Sequence, residues 1–195
     1  MAKLYFKYGA MGSSKTAGAL ITKFNYEEKG MKVWFIKPAT DDRDGKFMVK
    51  SRIGLCAECT PIEKDCDLKQ LFLDSYVKCD VIISDESQFF TEAQIDMMRQ
   101  IVDEFDIPVI CFGLRSDFKT RLFEGSARLF AVADSISEIK TICECGRKAT
   151  VNARFDSLGR IITEGEQVLL GGNDSYVAMC HRCWRRSIEK ENKND

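Results

Sequence analysis

Leu4, Phe6 and Tyr8 alternate with Lys3, Tyr5 and Lys7, the period-two pattern of a half-buried strand. A turn of small residues follows from Gly9 to Ser14. Ala17, Leu20, Ile21 and Phe24 then mark one face of a helix that runs to about Lys29 and stops at Gly30. Val33-Trp34-Phe35-Ile36 is a second strand, broken by Pro38. Residues 41–66 show no period and are polar, which predicts an irregular surface loop; Asp67 to Val77 reads as helix. Val81-Ile82-Ile83 is continuously apolar and ends in acids, as a strand buried on both faces should be. Thr91-Glu92-Ala93-Gln94 has the form of a capping box, and Ile95, Met98, Ile101 and Val102 continue it as a helical stripe. Ile107 to Phe112 is a further strand that tolerates Pro108 near its start.

Repeated strand–helix units of this kind predict an α/β fold with a doubly wound, mostly parallel sheet. After about Ser137 the pattern changes to short β-like pieces, with Gly159, Gly165 and Gly171-Gly172 lying between two cysteine pairs. The expected organisation is therefore a nucleotide-binding α/β domain over residues 1–137 and a smaller unit over 138–195, with a charged, frayed tail after Glu189.

Composition changes this picture little. The 195 residues are 45% hydrophobic and 30% charged, and the formal net charge of −1 gives no basic field to attract nucleic acid or an anionic membrane. Neither a signal-peptide core nor a run of roughly 20 apolar residues is present, so a cytoplasmic protein without a membrane partner is expected. In that compartment nine cysteines point to metal ligation more than to disulfides.

Two stretches carry candidate chemistry. Gly9-Ala10-Met11-Gly12-Ser13-Ser14-Lys15-Thr16 fits the phosphate-loop pattern G-x-x-x-x-G-K-[ST] except at Ser14, where glycine is expected. In such a loop the backbone N–H groups and the following helix N-terminus converge on phosphate. Lys15 would reach the β- and γ-phosphates, and the Thr16 hydroxyl would join a Mg²⁺ shell. The strand Val81–Ser84 ends in Asp85-Glu86, the form of a Walker-B strand, which would emerge beside the loop in a P-loop NTPase-like sheet. There Asp85 suits the metal, and Glu86 suits the base that takes a proton from the nucleophile.

Three cysteine pairs compete for a structural zinc: Cys56/Cys59, Cys143/Cys145 and Cys180/Cys183. Four thiolates suffice, and spacing alone does not choose among the pairs. His181, between two cysteines, is awkwardly placed to ligate with them and reads as a surface residue; Cys66, Cys79 and Cys111 read as small buried hydrophobes.

In order along the chain, Gly9–Thr16, Asp85-Glu86-Ser87-Gln88-Phe89-Phe90 and Cys111-Phe112-Gly113-Leu114-Arg115-Ser116-Asp117-Phe118 are followed by Cys143–Ala149 and Gly171-Gly172-Asn173-Asp174-Ser175-Tyr176. Over essentially its full length the chain thereby resembles the thymidine kinases of the type with a P-loop and a zinc lasso. The resemblance implies ATP-dependent phosphorylation of the thymidine 5′-hydroxyl, with Glu86 as general base and Thr16 and Asp85 serving Mg²⁺. Gly9, Ala10, Met11, Gly12, Ser13, Ser14, Lys15 and Thr16, with Asp85, Glu86, Ser87 and Gln88, would bind ATP. Met11, Phe89, Leu114, Phe118 and Tyr176 would line the nucleoside pocket, and Asp41 and Arg43 would stand near the phosphates. Cys143, Cys145, Cys180 and Cys183 would hold zinc, and a loop at about 156–172 would close over thymine through backbone groups. A homotetramer and feedback inhibition by dTTP are implied as well.

Two other classes remain distinguishable. A P-loop ATPase or GTPase switch would turn over nucleotide without a nucleoside. A zinc ribbon that grips nucleic acid through Arg182, Arg185 and Arg186 would bind in a salt-sensitive way.

Overall fold

The computed structural model describes residues 1–167 and 175–191; Gly171-Gly172, with the rest of 168–174, and the tail 192–195 lie outside them. In chain order the elements begin with β1 (Leu4–Gly9), α1 (Lys15–Glu27) and β2 (Val33–Pro38), then a hairpin of β3 (Met48–Lys50) and β4 (Cys56–Glu58). Next come β5 (Thr60–Ile62), α2 (Leu68–Leu71) running into a π-helical turn at Phe72–Tyr76, and β6 (Val81–Ser84). A 3₁₀ turn at Ser87–Phe89 leads to α3 (Glu92–Phe105), β7 (Val109–Leu114), α4 (Glu124–Val132) and β8 (Ser135–Glu138). The remaining elements are β9 (Val151–Phe155), β10 (Ile161–Ile162), β11 (Tyr176–Met179) and α5 (His181–Glu191).

Six strands form one sheet in the order β5-β2-β6-β7-β1-β8, and every pairing in it is parallel. Side chains alternate across it. Leu4, Phe6, Trp34, Ile36, Ile82 and Val109 pack on the face covered by α2, α3 and α4. Phe35, Val81, Ile83, Ile110 and Phe112 face Ala19 and Leu20 of α1 on the other. Both faces of β6 are thus buried, which explains its unbroken apolar run. The expected capping box at the start of α3 is formed, with the Thr91 side chain accepting from the Gln94 N–H and Gln94 reciprocating.

The stretch 41–66, expected to be irregular, instead contains the β3–β4 hairpin and the edge strand β5. Each strand is three residues long, too short for periodicity to register. Cys66 and Cys79 are half-buried, and only Cys111 of those three is fully enclosed. A separate antiparallel sheet, β10-β9-β11, follows the parallel one, and its β9–β10 turn is closed by Asp156, whose carboxylate accepts from the Leu158 and Arg160 N–H groups.

The packing brings the carboxyl ends of β1, β7 and β6 to one edge. At Gly125, near the start of α4, an added Cβ would lie 2.6 Å from the Ser87 carbonyl and 2.7 Å from that of Phe90. The helix therefore rests directly on the backbone of the segment that carries the acidic pair, and only glycine fits there.

Candidate active site

The loop after β1 turns tightly. A Cβ at Gly9 would meet the Ile139 carbonyl and the Ser13 hydroxyl at 2.4 Å each. Ser14 takes a left-handed conformation, φ 61°, which is why the phosphate-loop pattern calls for glycine there; the serine bears a strain that glycine would not. Lys15 is nearly buried and its Nζ donates to the Ala10 carbonyl at 2.8 Å and to Ser13 Oγ at 3.3 Å. The lysine is folded back along its own loop.

Across β7, the end of β6 presents Asp85 and Glu86. Asp85 is 3% exposed. Burial, and then the neighbouring Glu86 charge, push its carboxyl up to about 7, against a hydrogen bond from Thr16 and the charge of Lys15. Glu86 adopts a left-handed backbone conformation, φ 48°, which turns its side chain out of the strand line. Burial alone would raise its pKa as well. Arg43 and Gln88, with Lys15, outweigh burial and hold it below the usual carboxylate range. Arg43 Nη2 donates to Glu86 Oε1 and Gln88 Nε2 to Glu86 Oε2, each at 2.5 Å. Arg43 also holds Asp41 at 2.5 Å, and both anions keep its guanidinium charged against the effect of burial. Lys15 is lowered to about 8, by burial first, with Glu86 and Asp85 opposing and the positive charges of Arg52 and Arg43 reinforcing.

These groups share one cavity of about 800 Å³, the size of a small-molecule site. Of the expected site residues, Met11, Gly12, Ser14, Lys15, Thr16, Asp85, Glu86, Gln88, Phe89, Leu114, Phe118 and Tyr176 all line it, as do Asp41 and Arg43. Gly9, Ala10, Ser13 and Ser87 do not. Ser87 is buried and bonded to the Ser84 hydroxyl at 2.7 Å, a role inside the turn. Sequence reasoning missed Asn152 and the hairpin residue Arg52, both of which line the cavity. Asn152 accepts from the Met11 N–H at 2.8 Å and donates to the Ser116 carbonyl at 2.9 Å, tying the phosphate loop to β9. A single asparagine in a strand carries no motif, so nothing in the sequence pointed to it.

Cys143, Cys145, Cys180 and Cys183 form a compact group whose sulfurs lie within 4.8 Å of one another, and Cys56 and Cys59 are not part of it. Four thiolates at about 2.3 Å from a zinc ion stand roughly 3.8 Å apart; Cys145 and Cys180 are 3.6 Å apart. The Cys143–Gly146 knuckle is closed by the Gly146 N–H on the Cys143 carbonyl at 2.8 Å, and the Cys183 N–H points at Cys180 Sγ at 3.4 Å. The donor set and its spacing fit zinc. His181 stands outside the group, with its ring 5.3 Å from that of Trp184.

Among the described residues no helix is long and apolar enough to cross a membrane. The family model described as thymidine kinase matches residues 2–184. A thymidine kinase of Coxiella burnetii is 43% identical over 190 residues, covering 95% of this chain and 96% of that protein. One from Agrobacterium fabrum is 44% identical over 188 residues, 94% of this chain and 96% of the relative. One from Vibrio vulnificus is 44% identical over 192 residues, 97% of this chain and all of the relative.

The divided carboxylates predict how stability depends on pH. Folded Asp85 keeps a proton up to about 7, whereas the unfolded carboxyl releases it near 3.8. Its contribution is therefore full at the acid end of that window and lost as pH rises through 7. Glu86 is shifted the other way and acts only below its ordinary 4.5. Lys15 acts only above about 8, where stability rises again as the folded amine deprotonates first. In urea titrations of the ligand-free protein, the advantage of wild type over Asp85→Asn should fall between pH 5 and 7, by up to about 1.4 kcal/mol per pH unit. A difference that stays flat across this window would mean that Asp85 ionises like an exposed acid.

Proposed function

We infer the working of the site from one premise: the chain belongs to the thymidine kinase family, so its reaction is the ATP-dependent phosphorylation of thymidine. The observation that carries the residue roles is the division of labour between Asp85 and Glu86 beside Lys15 in one cavity. In our reading residues 1–137 form the nucleotide-binding domain, and 138–195 a zinc-stapled domain that closes over the nucleoside.

The backbone of residues 9–16, Lys15 and the turn at 85–88 would take the triphosphate of ATP. Thr16 and Asp85 are hard oxygen donors in contact with each other, and would hold Mg²⁺, which supplies charge neutralisation for the transferring phosphoryl group. Cation binding at Asp85 would also explain why a carboxyl raised to about 7 is kept there. Glu86 would remove the proton of the 5′-hydroxyl as the oxygen attacks phosphorus. It is suited to this because its carboxylate stays ionised, and because Gln88 fixes one oxygen while the other is held by the exchangeable Arg43. Arg43 would leave Glu86 for the phosphates when ATP binds, freeing that oxygen for the hydroxyl.

Met11, Phe89, Leu114, Phe118 and Tyr176 would hold the nucleoside. The loop at about 156–172, whose glycines Gly171-Gly172 lie outside the described residues, would read thymine by its hydrogen-bonding edge through backbone groups. A cytosine would leave such groups unpaired. The same pocket would take the base of dTTP as feedback inhibitor, with its phosphates reaching the cations of the loop. A homotetramer belongs to this reading as well, as the family resemblance implies. The formal net charge of −1 offers no basic surface field for nucleic acid or an anionic membrane, in keeping with a cytoplasmic protein that binds neither.

Glu86→Gln should lower turnover by about 10²- to 10⁴-fold while thymidine and ATP still bind, because the amide is nearly isosteric with the carboxylate but cannot take the hydroxyl proton. Steady-state rates and equilibrium binding measure this directly; near-normal turnover would remove Glu86 from the mechanism. Metal analysis of the purified protein should find one zinc per chain, lost in Cys145→Ser and Cys183→Ser and retained in Cys56→Ser. Loss of zinc from the Cys56 variant would point to a different ligand set.

A further inference from the structure

Arg154 sits in the middle of β9, opposite Tyr176 on β11 and Ile162 on β10. It is 9% exposed, and no carboxylate pairs with it among the described residues. Its guanidinium carbon lies 5.0 Å from the centroid of the Phe118 ring and 5.9 Å from that of Tyr176. Nη1 donates to the Glu166 carbonyl at 3.1 Å, and the buried Nε has no hydrogen-bond partner among the described residues. A buried cation without an anion is held at a disadvantage unless other groups offset its lost hydration, and two aromatic faces do so here.

Phe118 and Tyr176 line the cavity, whereas Arg154 does not; it stands behind them. The segment it grips, 165–167, is tied to the same place twice more. Lys119 Nζ donates to the Gly165 carbonyl at 2.8 Å, and Gln167 Nε2 to Asp117 Oδ2 at 3.0 Å. Gln167 and Asp117 also line the cavity. Arg154 thus touches both aromatic walls and the backbone at Glu166. Lys119 Nζ also lies over the Phe118 ring, 5.5 Å from its centroid, while it donates to Gly165, but the broader guanidinium of Arg154 meets a second ring, Tyr176, as well.

We propose that Arg154 is a positioning residue for the nucleoside, locking the Phe118 and Tyr176 rings and the loop at Glu166 into a single unit that encloses a pyrimidine base. The proposal rests on the reading of this cavity as a thymidine kinase site. It separates the nucleoside half of the cavity from the phosphate half, whose loop and carboxylates Arg154 does not touch.

The test uses the full-length, zinc-loaded enzyme and the variants Arg154→Met and Arg154→Lys. In both, KM for thymidine should rise about 5- to 30-fold, the span of one to two cation–π contacts at a desolvated site. KM for ATP should stay within about twofold, and lysine should recover only a minor part of the loss. Amide hydrogen exchange at residues 164–167 of the ligand-free protein should quicken in Arg154→Met, while β1 and β7 keep their protection. Thymidine KM within twofold of wild type in both variants, or unchanged exchange at 164–167, overturns the proposal. So does a parallel rise of both KM values with loss of protection throughout β9–β11, which marks a residue needed only for folding. Wild-type enzyme that releases no ADP on addition of thymidine is a separate result: it overturns the kinase reading itself and takes the Arg154 role with it.

Discussion

Two adjacent carboxylates at the end of a buried strand cannot both be charged unless cations stand close to them, and much of this structure is arranged around that constraint. The strand β6 is apolar on both faces, so Asp85 and Glu86 emerge from the sheet with little water around them. One of them, Asp85, responds by holding its proton toward neutrality. The other is kept ionised by Arg43, which Asp41 holds in turn. Asp41 lies 4.0 Å from the buried Lys37, whose ammonium is fixed by the carbonyls of Gly45 and Met48. A line of alternating charges therefore runs from the end of β2 to Glu86, and the loop after β2 is ordered by it.

The sheet supplies the geometry that makes this arrangement useful. Parallel strands bring the phosphate loop after β1 and the acids after β6 to the same edge, with β7 between them. Gln88 crosses that gap: its Oε1 accepts from the Leu114 N–H at the end of β7 while its Nε2 holds Glu86. The close approach of α4 at Gly125 fixes the turn from behind. On the other side, Asn152 joins the loop at Met11 to the antiparallel sheet, so the small C-terminal sheet and the phosphate loop form one wall of the cavity. The four-cysteine group keeps that sheet and α5 together without a sizeable apolar core of its own.

What could be read from the sequence follows from how local each signal is. The strand–turn–helix of residues 4–27, the continuous apolar run of β6 and the capping box of α3 each lie within a short window, and each is present in the structure. The stretch 41–66 was opaque because three-residue strands carry no period, and their existence depends on partners: Ile36 for Thr60, Val49 for Ala57. The phosphate-loop pattern flagged Ser14 as a departure, but not its left-handed backbone, the physical reason glycine is called for. Glu86 was visible by its place in a motif; that Arg43 would bond to it, 43 positions away, was not. Asn152 and Arg154 had no signal at all, since their importance comes from what β9 is packed against.

The central claim is that the two carboxylates are divided, Glu86 ionised as a base and Asp85 protonated toward neutrality until a cation arrives. Carbon-13 NMR of the side-chain carboxyls in ligand-free protein, assigned with Asp85→Asn and Glu86→Gln, observes each titration separately. The account predicts one aspartate resonance with a midpoint near 7, absent from Asp85→Asn, and a Glu86 resonance that remains ionised down to pH 4.5. A Glu86 resonance titrating near 7, with Asp85 ionised throughout, would contradict it.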